Sequence, residues 1–182
     1  MGNVSSDRLR LEPLGTHHAP LLHGPLQAPE IYTYIPEDPP SLDALSRRYA
    51  FLENGRSPDG QEFWLNWVAF LSDSMTPIGT FQATLSAEKE KQGSFAYIVF
   101  PAFWRQGFAR EMADHILPHL FRTYKPSSLA AEIDTRNVAS IRLVESLGLV
   151  RIATTEAADF FKGESSDEYT YAVTREVWES HR

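Results

Sequence analysis

Polar and apolar residues alternate over residues 8–14, a pattern typical of a strand with one face buried. Three longer segments with the character of strands follow one another through the middle of the chain. Short polar segments join those three, which predicts an antiparallel meander. The predicted strands cover residues 8–14, 62–72, 77–86, 93–100, 129–133, 149–155 and 168–173.

Helical segments lie between these strands. Ser41 has the character of an N-cap for a helix that ends before Asn54-Gly55. A later helix is stopped by Gly148, because glycine favours a helix end. The predicted helices cover residues 41–52, 105–124 and 139–147, with a short, proline-limited segment at 17–26. The order of elements predicts one mixed α/β domain over residues 1–182.

Composition and charge exclude several classes of protein. The chain has no cysteine, which rules out disulfides, thiolate nucleophiles and cysteine-bound metals. Its formal charge of −7 argues against a nucleic-acid surface, which needs clustered Lys and Arg. The longest apolar runs, such as 67–71, fall far short of the ~20 residues that span a bilayer. With no signal peptide at its start, we expect a cytoplasmic protein with no membrane partner.

Two minor features add little to this picture. Residues 1–6 fit a pattern for myristoylation at Gly2, but so short a pattern recurs often by chance, and the question stays open. His115 and His119 are four residues apart on a predicted helix, but no third ligand accompanies them. We therefore expect no metal.

The most informative stretch is a predicted strand that enters a tight turn with one glycine, directly before a helix. Free N–H groups in such a turn and at the helix start form a concavity for an anion. Gly107 lets the backbone approach a bulky pyrophosphate, and Arg105 and Arg110 add positive charge. Alternatively, Gly107 only relieves strain in an ordinary turn. The stretch reads Ile98-Val99-Phe100-Pro101-Ala102-Phe103-Trp104-Arg105-Gln106-Gly107-Phe108-Ala109-Arg110.

A second strand–helix junction carries Asn137-Val138-Ala139-Ser140, and its helix ends in Leu147-Gly148-Leu149. With both junctions in this order, the chain resembles the GNAT superfamily of N-acetyltransferases from about residue 8 to residue 173. The first junction resembles the family's pyrophosphate loop, R/Q-x-x-G-x-G/A, with Trp104 in the first position. That substitution is familiar in the Rim-type N-terminal acetyltransferases. The second junction resembles the family's N-x-x-S…L-G-F pattern.

The resemblance implies a twisted, mostly antiparallel sheet flanked by helices, in which two central parallel strands splay apart. It also implies acetyl-CoA as cosubstrate, with its pantetheine arm paired to the backbone of residues 98–100 by strand addition. Asn137 is the position that commonly binds the cofactor arm. The implied cofactor-binding residues are Ile98, Val99, Phe100, Arg105, Gln106, Gly107, Phe108, Ala109, Arg110, Asn137 and Ser140.

The family reaction is direct attack of a neutral amine on the thioester, so the amine loses a proton and the leaving thiolate gains one. Many members carry a glutamate base where this chain has Ser94, and a tyrosine acid where it has Val144. The Rim-type enzymes share both departures. In that branch the serine of N-x-x-S is the proposed acid, which implies that Ser140 has this role.

The base implied by the same resemblance is Asp159, within the segment 158–163 that matches a Rim-type A-E-Y-L-N-G-like segment. Aspartate is one methylene shorter than glutamate. An ordinary Asp, with a pKa of ~3.9, is also a poor base near neutral pH unless burial raises that pKa. Glu132 and Asp134, at the end of the preceding strand, are alternative bases.

The acceptor is the least determined part of the hypothesis. The resemblance places Tyr32 and Tyr34 where they could line the acceptor slot, while Trp64 and Trp67 should face opposite sides of one strand. The leading acceptor is a protein N-terminal amine. A small amine, such as an aminoglycoside or polyamine, is the alternative, and a non-catalytic acyl-CoA sensor is the third. An open groove around residues 30–40 and 156–168 favours a peptide, and a closed, acid-lined pocket favours a polyamine. The family includes both monomers and homodimers.

Overall fold

The computed structural model describes residues 2–88 and 92–180, which form one sheet with helices on both faces. The strands are β1 Val4–Ser5, β2 Leu9–Pro13, β3 Glu62–Leu71, β4 Pro77–Ser86, β5 Gln92–Val99, β6 Ser128–Asp134, β7 Val150–Phe161 and β8 Glu164–Thr174. The α-helices are α1 Ala19–His23, α2 Leu42–Leu52, α3 Phe108–Thr123, α4 Val138–Ser146 and α5 Arg175–Ser180. Short 3₁₀ turns lie at Thr16–His18, Pro25–Gln27, Pro29–Tyr32 and Pro101–Phe103.

The sheet has the strand order β1-β2-β3-β4-β5-β6-β8-β7. Its neighbouring strands are antiparallel except for β5 and β6, which run parallel. That parallel pairing ends where Ser94 lies opposite Ala130. Both strands continue beyond this point, β5 to Val99 and β6 to Asp134. The sheet is therefore open at its centre, which confirms the expected splay of two parallel strands.

Each face of the sheet buries its own hydrophobic cluster, since side chains alternate between the two faces. Trp67 on β3 is fully buried in the cluster beneath α3 and α4. Its neighbour Val68 belongs to the opposite cluster, beneath α1 and α2. Trp64 points to this second face and packs on Phe51 of α2, with ring centroids 5.2 Å apart. The predicted opposite orientation of the two tryptophans is confirmed.

The first five predicted strands agree with the structure to within one residue at each end, and Ser41 caps α2 by accepting the Ala44 N–H at 3.2 Å. The last two strands were predicted too short, because β7 and β8 form a long hairpin that includes residues 156–161 and 164–167. β7 lies at the sheet edge, and its side chains are exposed along most of its length. An exposed strand lacks the alternation that reveals a half-buried one. In the described part of the chain, no helix combines the length and apolarity needed to cross a membrane.

Candidate active site

The opening between β5 and β6 leaves one edge of β5 without a strand partner. Alternate residues of an antiparallel strand direct their backbone groups to opposite sides. The Phe100 N–H donates to the Ile78 carbonyl of β4 at 2.8 Å, so the backbone groups of Tyr97 and Val99 face the opening. There the Trp104 indole N–H donates to the Val99 carbonyl. An extended ligand can add to such an edge as a further strand.

The turn that follows β5 borders the same opening, since its Trp104 bonds the Val99 carbonyl there, and it leads directly into α3. Arg105 and Gly107 both adopt left-handed backbone conformations, with φ of 58° and 83°. Gly107 is the N-cap of α3 and its first turn receives no side-chain cap. The first N–H groups of a helix have no intrahelical acceptor, and α3 is 16 residues long. Its start therefore offers free donors and a positive dipole end to an anion.

Arg8, the residue before β2, lies beside this turn, a position that no sequence motif indicates. Its guanidinium donates to the Gln106 carbonyl at 3.2 Å and lies over the Phe108 ring at 4.5 Å from the centroid. It also pairs with Glu111 in the first turn of α3, where Nε donates to the carboxylate at 2.7 Å. About half of the Arg8 side chain is exposed, which leaves it accessible to a phosphate. Two residues about 100 positions apart in sequence have no local pattern that reveals such a contact.

Arg110, one of the two expected phosphate contacts, is turned towards α4. Its Nε donates to Asp114 at 2.8 Å, and its Nη1 donates to the Ser146 hydroxyl at 2.9 Å. These bonds tie the start of α3 to the end of α4. Arg105 forms no hydrogen bond or ion pair with the other described residues, so the structure leaves it as the freer of the two arginines.

The start of α4 places Asn137 and Ser140 across the opening from β5. Asn137 caps this helix, since its side-chain oxygen accepts the Ser140 N–H at 3.1 Å. The hydroxyl of Tyr97, from β5, is fully buried and has no partner at hydrogen-bond geometry among the described residues. Burial, the larger influence, raises the pKa of Tyr97, whereas the nearby Ser140 hydroxyl lowers it. The two hydroxyls thus lie close together without a formed bond.

On the opposite face of the sheet, a cavity of about 140 Å³ lies where β5 and β6 separate. Among the described residues that line it, Glu132 is the only acidic one. The cavity is far smaller than the ~300 Å³ at which ligand pockets begin, so it can hold one end of an acceptor. Its lining residues are Gln82, Thr84, Ser94, Phe95, Ala96 and Glu132.

Glu168 on β8 is a further carboxylate, which no sequence motif indicates. Burial raises its pKa, and the nearby charges of Glu132, Asp159 and Asp134 raise it further. A carboxyl group with a raised pKa is a better proton acceptor near neutral pH than an ordinary one. The residue could have been found only by knowing that β6 and β8 are neighbours, with Asp134 opposite Glu168.

The two other carboxylates expected as bases differ in environment. Asp134 is buried and is held by Arg136 Nη2 at 2.7 Å and by the Ser166 hydroxyl at 2.6 Å. The bonds from Arg136 dominate in lowering its pKa to about 2, which makes it a poor base. Asp159 is exposed on β7, opposite Ser166, and not in a loop. Its catalytic role stays a prediction.

The two tyrosines expected near the acceptor are also unlike each other. Tyr32 is buried, and its hydroxyl donates to the Leu26 carbonyl at 2.9 Å. Its own carbonyl accepts a hydrogen bond from Lys162 at the tip of the β7–β8 hairpin. Tyr34 is 38% exposed. Of the two, Tyr34 has the side chain free to meet an acceptor, while Tyr32 fastens the segment around residues 30–40 to the hairpin.

Comparison with known proteins assigns the family. A family model described as an acetyltransferase (GNAT) domain matches residues 8–150. The chain belongs to the GNAT acetyltransferase family. A curated relative, the FsC-acetyl coenzyme A-N(2)-transacetylase of Aspergillus fumigatus, is 26% identical to this GNAT chain over 186 residues, which cover 94% of this chain and 75% of the relative.

Solved GNAT structures share the fold along nearly the whole chain. The spermidine N-acetyltransferase of Vibrio cholerae, solved with CoA and spermine, has a TM-score of 0.79 and 20% identity, covering 96% of this chain and 99% of its own. An acetyl transferase of Salmonella typhimurium that modifies the N-terminal serine of 50S ribosomal subunit protein L7/L12 has a TM-score of 0.80 and 14% identity. That match covers 93% of this chain and 96% of the other. At these identities the likeness shows the fold alone.

The protein is therefore a GNAT-type N-acetyltransferase, and members of this family use acetyl-CoA. The free edge of β5 suits the amide groups of a pantetheine arm, and the uncapped start of α3 suits a pyrophosphate. Across residues 2–88 and 92–180, no group of three or more His, Asp or Glu side chains is arranged to hold a metal ion.

Proposed function

We propose that this enzyme transfers the acetyl group of acetyl-CoA to a primary amine, with the N-terminal amine of a peptide as its leading acceptor. The observation that carries the proposal is the position of two features at one opening. The unpaired edge of β5 lies directly before the uncapped start of α3. One ligand that has an extended amide arm and a pyrophosphate matches both.

In this proposal, binding uses backbone groups more than side chains. The N–H groups around Gly107 hold the pyrophosphate, while Arg105 and Arg8 supply positive charge beside it. The backbone of Val99 pairs with the arm after Trp104 releases the Val99 carbonyl. Catalysis then depends mainly on holding the amine and the thioester carbonyl in line.

Proton removal from the amine falls to carboxylates on the far face of the sheet. Asp159 was expected from the family pattern, and Glu132 lines the small cavity. Glu168 has the raised pKa that suits a base, since it is part buried and flanked by other carboxylates. Because Asp134 keeps its charge to about pH 2, we do not propose it as the base.

The size and charge of the cavity bear on the choice between the candidate classes of acceptor. A space of about 140 Å³ admits an amine and its nearest atoms, so the rest of the acceptor lies along residues 30–40 and the β7–β8 hairpin. This favours a peptide with a free amino terminus. A polyamine is the second candidate, because Glu132, Glu168 and Asp159 lie close enough together to attract a cation with several charges.

Thiol release from acetyl-CoA tests the proposal directly. The protein is incubated with acetyl-CoA and N-terminal peptides, polyamines or aminoglycosides, and a chromogenic disulfide reports free CoA. The chain has no cysteine, so it adds no background. We expect acceptor-dependent release that is highest with peptides. Release with polyamines alone would select the second candidate, and failure to bind acetyl-CoA would overturn the proposal.

Variants then assign the catalytic roles. Ser140→Ala, Glu168→Gln, Glu132→Gln and Asp159→Asn each remove one candidate group. Ser46→Ala is a matched control, because Ser46 is a half-buried helical serine of α2 whose hydroxyl donates, among the described residues, only to the Leu42 carbonyl. General acid or base catalysis contributes about 10²–10⁴-fold, so loss of the true base lowers kcat by at least about 100-fold. A carboxylate variant with unchanged kcat is not the base.

A further inference from the structure

Tyr97 carries a buried hydroxyl that the fold does not use. In the described part of the chain its oxygen is enclosed and lacks a partner at hydrogen-bond geometry. Buried polar groups are almost always bonded, because an unmet group retains the cost of its lost hydration. An exception in a native structure calls for a physical reason, and a ligand that completes the bond is one.

The position of this hydroxyl points to the reacting end of the cosubstrate. Tyr97 lies on β5 three residues beyond Ser94, where pairing with β6 ends. Its side chain points to the α3 and α4 face, where its ring packs near Phe81 with centroids 6.4 Å apart. On that face the Ser140 hydroxyl, from the first turn of α4, lies close enough to influence the ionisation of Tyr97.

Simple acid strength separates the two hydroxyls. A phenol has an ordinary pKa of about 10, and a thiol has one of about 8.5. An aliphatic alcohol such as serine ionises much less readily than a phenol. Proton transfer to a leaving thiolate is therefore less unfavourable from Tyr97 than from Ser140. Burial also keeps the phenol protonated at neutral pH, because it raises the pKa of Tyr97.

We propose that Tyr97 is the acid that protonates the leaving thiolate, and that Ser140 is a positioning residue that orients the Tyr97 hydroxyl. This inference rests on the proposed function. The amine nitrogen forms a bond to the acetyl carbon, and the carbon–sulfur bond breaks with its electron pair going to sulfur. Tyr97 donates its proton to that sulfur. The tyrosinate then regains, through solvent, the proton that the nitrogen loses, so no other reactant is needed.

Tyr97→Phe is the decisive variant, because it removes one oxygen and keeps the ring. Tyr124→Phe is the matched control. Tyr124 is the C-cap of α3, at the end of the helix away from the opening, and its ring also packs against another aromatic ring. We expect Tyr97→Phe to lower kcat by about 100-fold or more, with the acetyl-CoA Kd unchanged within about twofold. Tyr124→Phe should leave both values near those of the wild type. If Tyr97→Phe keeps kcat within about threefold of the wild type, the inference is wrong.

Two further measurements separate an acid from a structural residue. Adding Ser140→Ala to Tyr97→Phe should lower kcat little further, because both changes act on one proton transfer. Calorimetric titration with CoA, without an acceptor, should show that the wild type binds CoA more tightly at pH 9.5 than at pH 7. This gain in affinity should be about tenfold larger in the wild type than in Tyr97→Phe. The reason is that the hydroxyl donates to the thiolate formed in that range.

The outcomes distinguish this inference from the proposed function. A wild-type protein that binds CoA but releases no thiol with any acceptor contradicts the proposed function. The CoA titration still tests Tyr97 in that case. The same pH dependence in the wild type and Tyr97→Phe means that the hydroxyl does not meet the sulfur, and overturns the inference.

Discussion

Replacing Gly107 should affect both the stability of the fold, through its backbone conformation, and the binding of the cofactor, and a matched variant can separate these two effects. With φ of 83° it lies in the left-handed region, where an L-residue costs about 1–2 kcal/mol. A β-carbon built there has its nearest neighbour in the Arg8 guanidinium at 3.7 Å, which is ordinary contact. Gly107→Ala should therefore fold, with its free energy of unfolding lowered by about 1–2 kcal/mol.

Gly60→Ala provides the same conformational cost away from the opening. Gly60 has φ of 74°, and a β-carbon there meets nothing within 4 Å. It precedes β3, whose first residue, Glu62, pairs with Ser86 near the start of β5, whereas the α3 turn follows the other end of β5. The two alanine variants should be equally destabilised in urea unfolding.

Only Gly107→Ala should weaken acetyl-CoA binding. The new methyl group and any relaxation of φ move N–H donors away from the pyrophosphate, and a hydrogen bond to a charged group contributes about 1.5–3 kcal/mol. Loss of one such bond raises the Kd by about tenfold or more. Calorimetric titration with acetyl-CoA measures this for both variants. Equal Kd values for Gly107→Ala, Gly60→Ala and the wild type would show that the α3 turn does not hold the pyrophosphate.

Three further changes test the scaffold around the opening. Gly79→Ala should lower the free energy of unfolding by about 3 kcal/mol, because its β-carbon would lie 2.0 Å from the Ile98 carbonyl oxygen; a urea midpoint equal to that of the wild type would contradict this. Asp134→Asn should lower the free energy of unfolding by about 2 kcal/mol at pH 7, since the folded pKa of Asp134 is about 2 and its ordinary value is 3.8. This advantage of the wild type is fully present above pH 3.8 and is lost as the pH falls towards 2. The difference in free energy of unfolding between the two proteins should therefore be smaller at pH 3 than at pH 7, and the same difference at both pH values would refute the assignment. Ser41→Ala removes the α2 cap and should cost about 1 kcal/mol, whereas Ser41→Asn should recover most of that loss in thermal unfolding.

Local patterns predicted most of the fold because they report local physics. The apolar run of β3 reflects a strand that is covered on both faces, whereas the alternation along β4 and β5 reflects strands with one face more buried than the other. Gly107 and Gly148 stand at helix ends with positive φ. β7 escaped full detection because its exposed side chains are not constrained by a core. Strand and helix signals are therefore strongest where burial is greatest.

The candidate site was predicted only in its contiguous parts. The α3 turn and the Asn137-to-Ser140 segment each form one short motif, and a contiguous motif can be recognised in a sequence. Tyr97 and Glu168 gain their importance from neighbours on other elements, Ser140 for the first and Glu132 for the second. Such pairings depend on which elements are neighbours in the folded sheet. The periodicity of residues along a single strand does not indicate its neighbours.

The first residues of the chain are bonded to the first turn of α3 and to the strand beneath it. The Gly2 carbonyl accepts the Trp67 indole N–H at 3.2 Å, and the Ser6 hydroxyl donates to Glu111 in the first turn of α3. Arg8 then joins the same carboxylate. An amino-terminal fusion tag, a proteolytic trim or an acyl group on Gly2 would therefore disturb the backbone at the start of α3, where we propose that the pyrophosphate binds. Kinetic constants should be measured on protein purified through a carboxyl-terminal tag, and a rise in the acetyl-CoA KM after amino-terminal tagging would be a direct readout of this coupling.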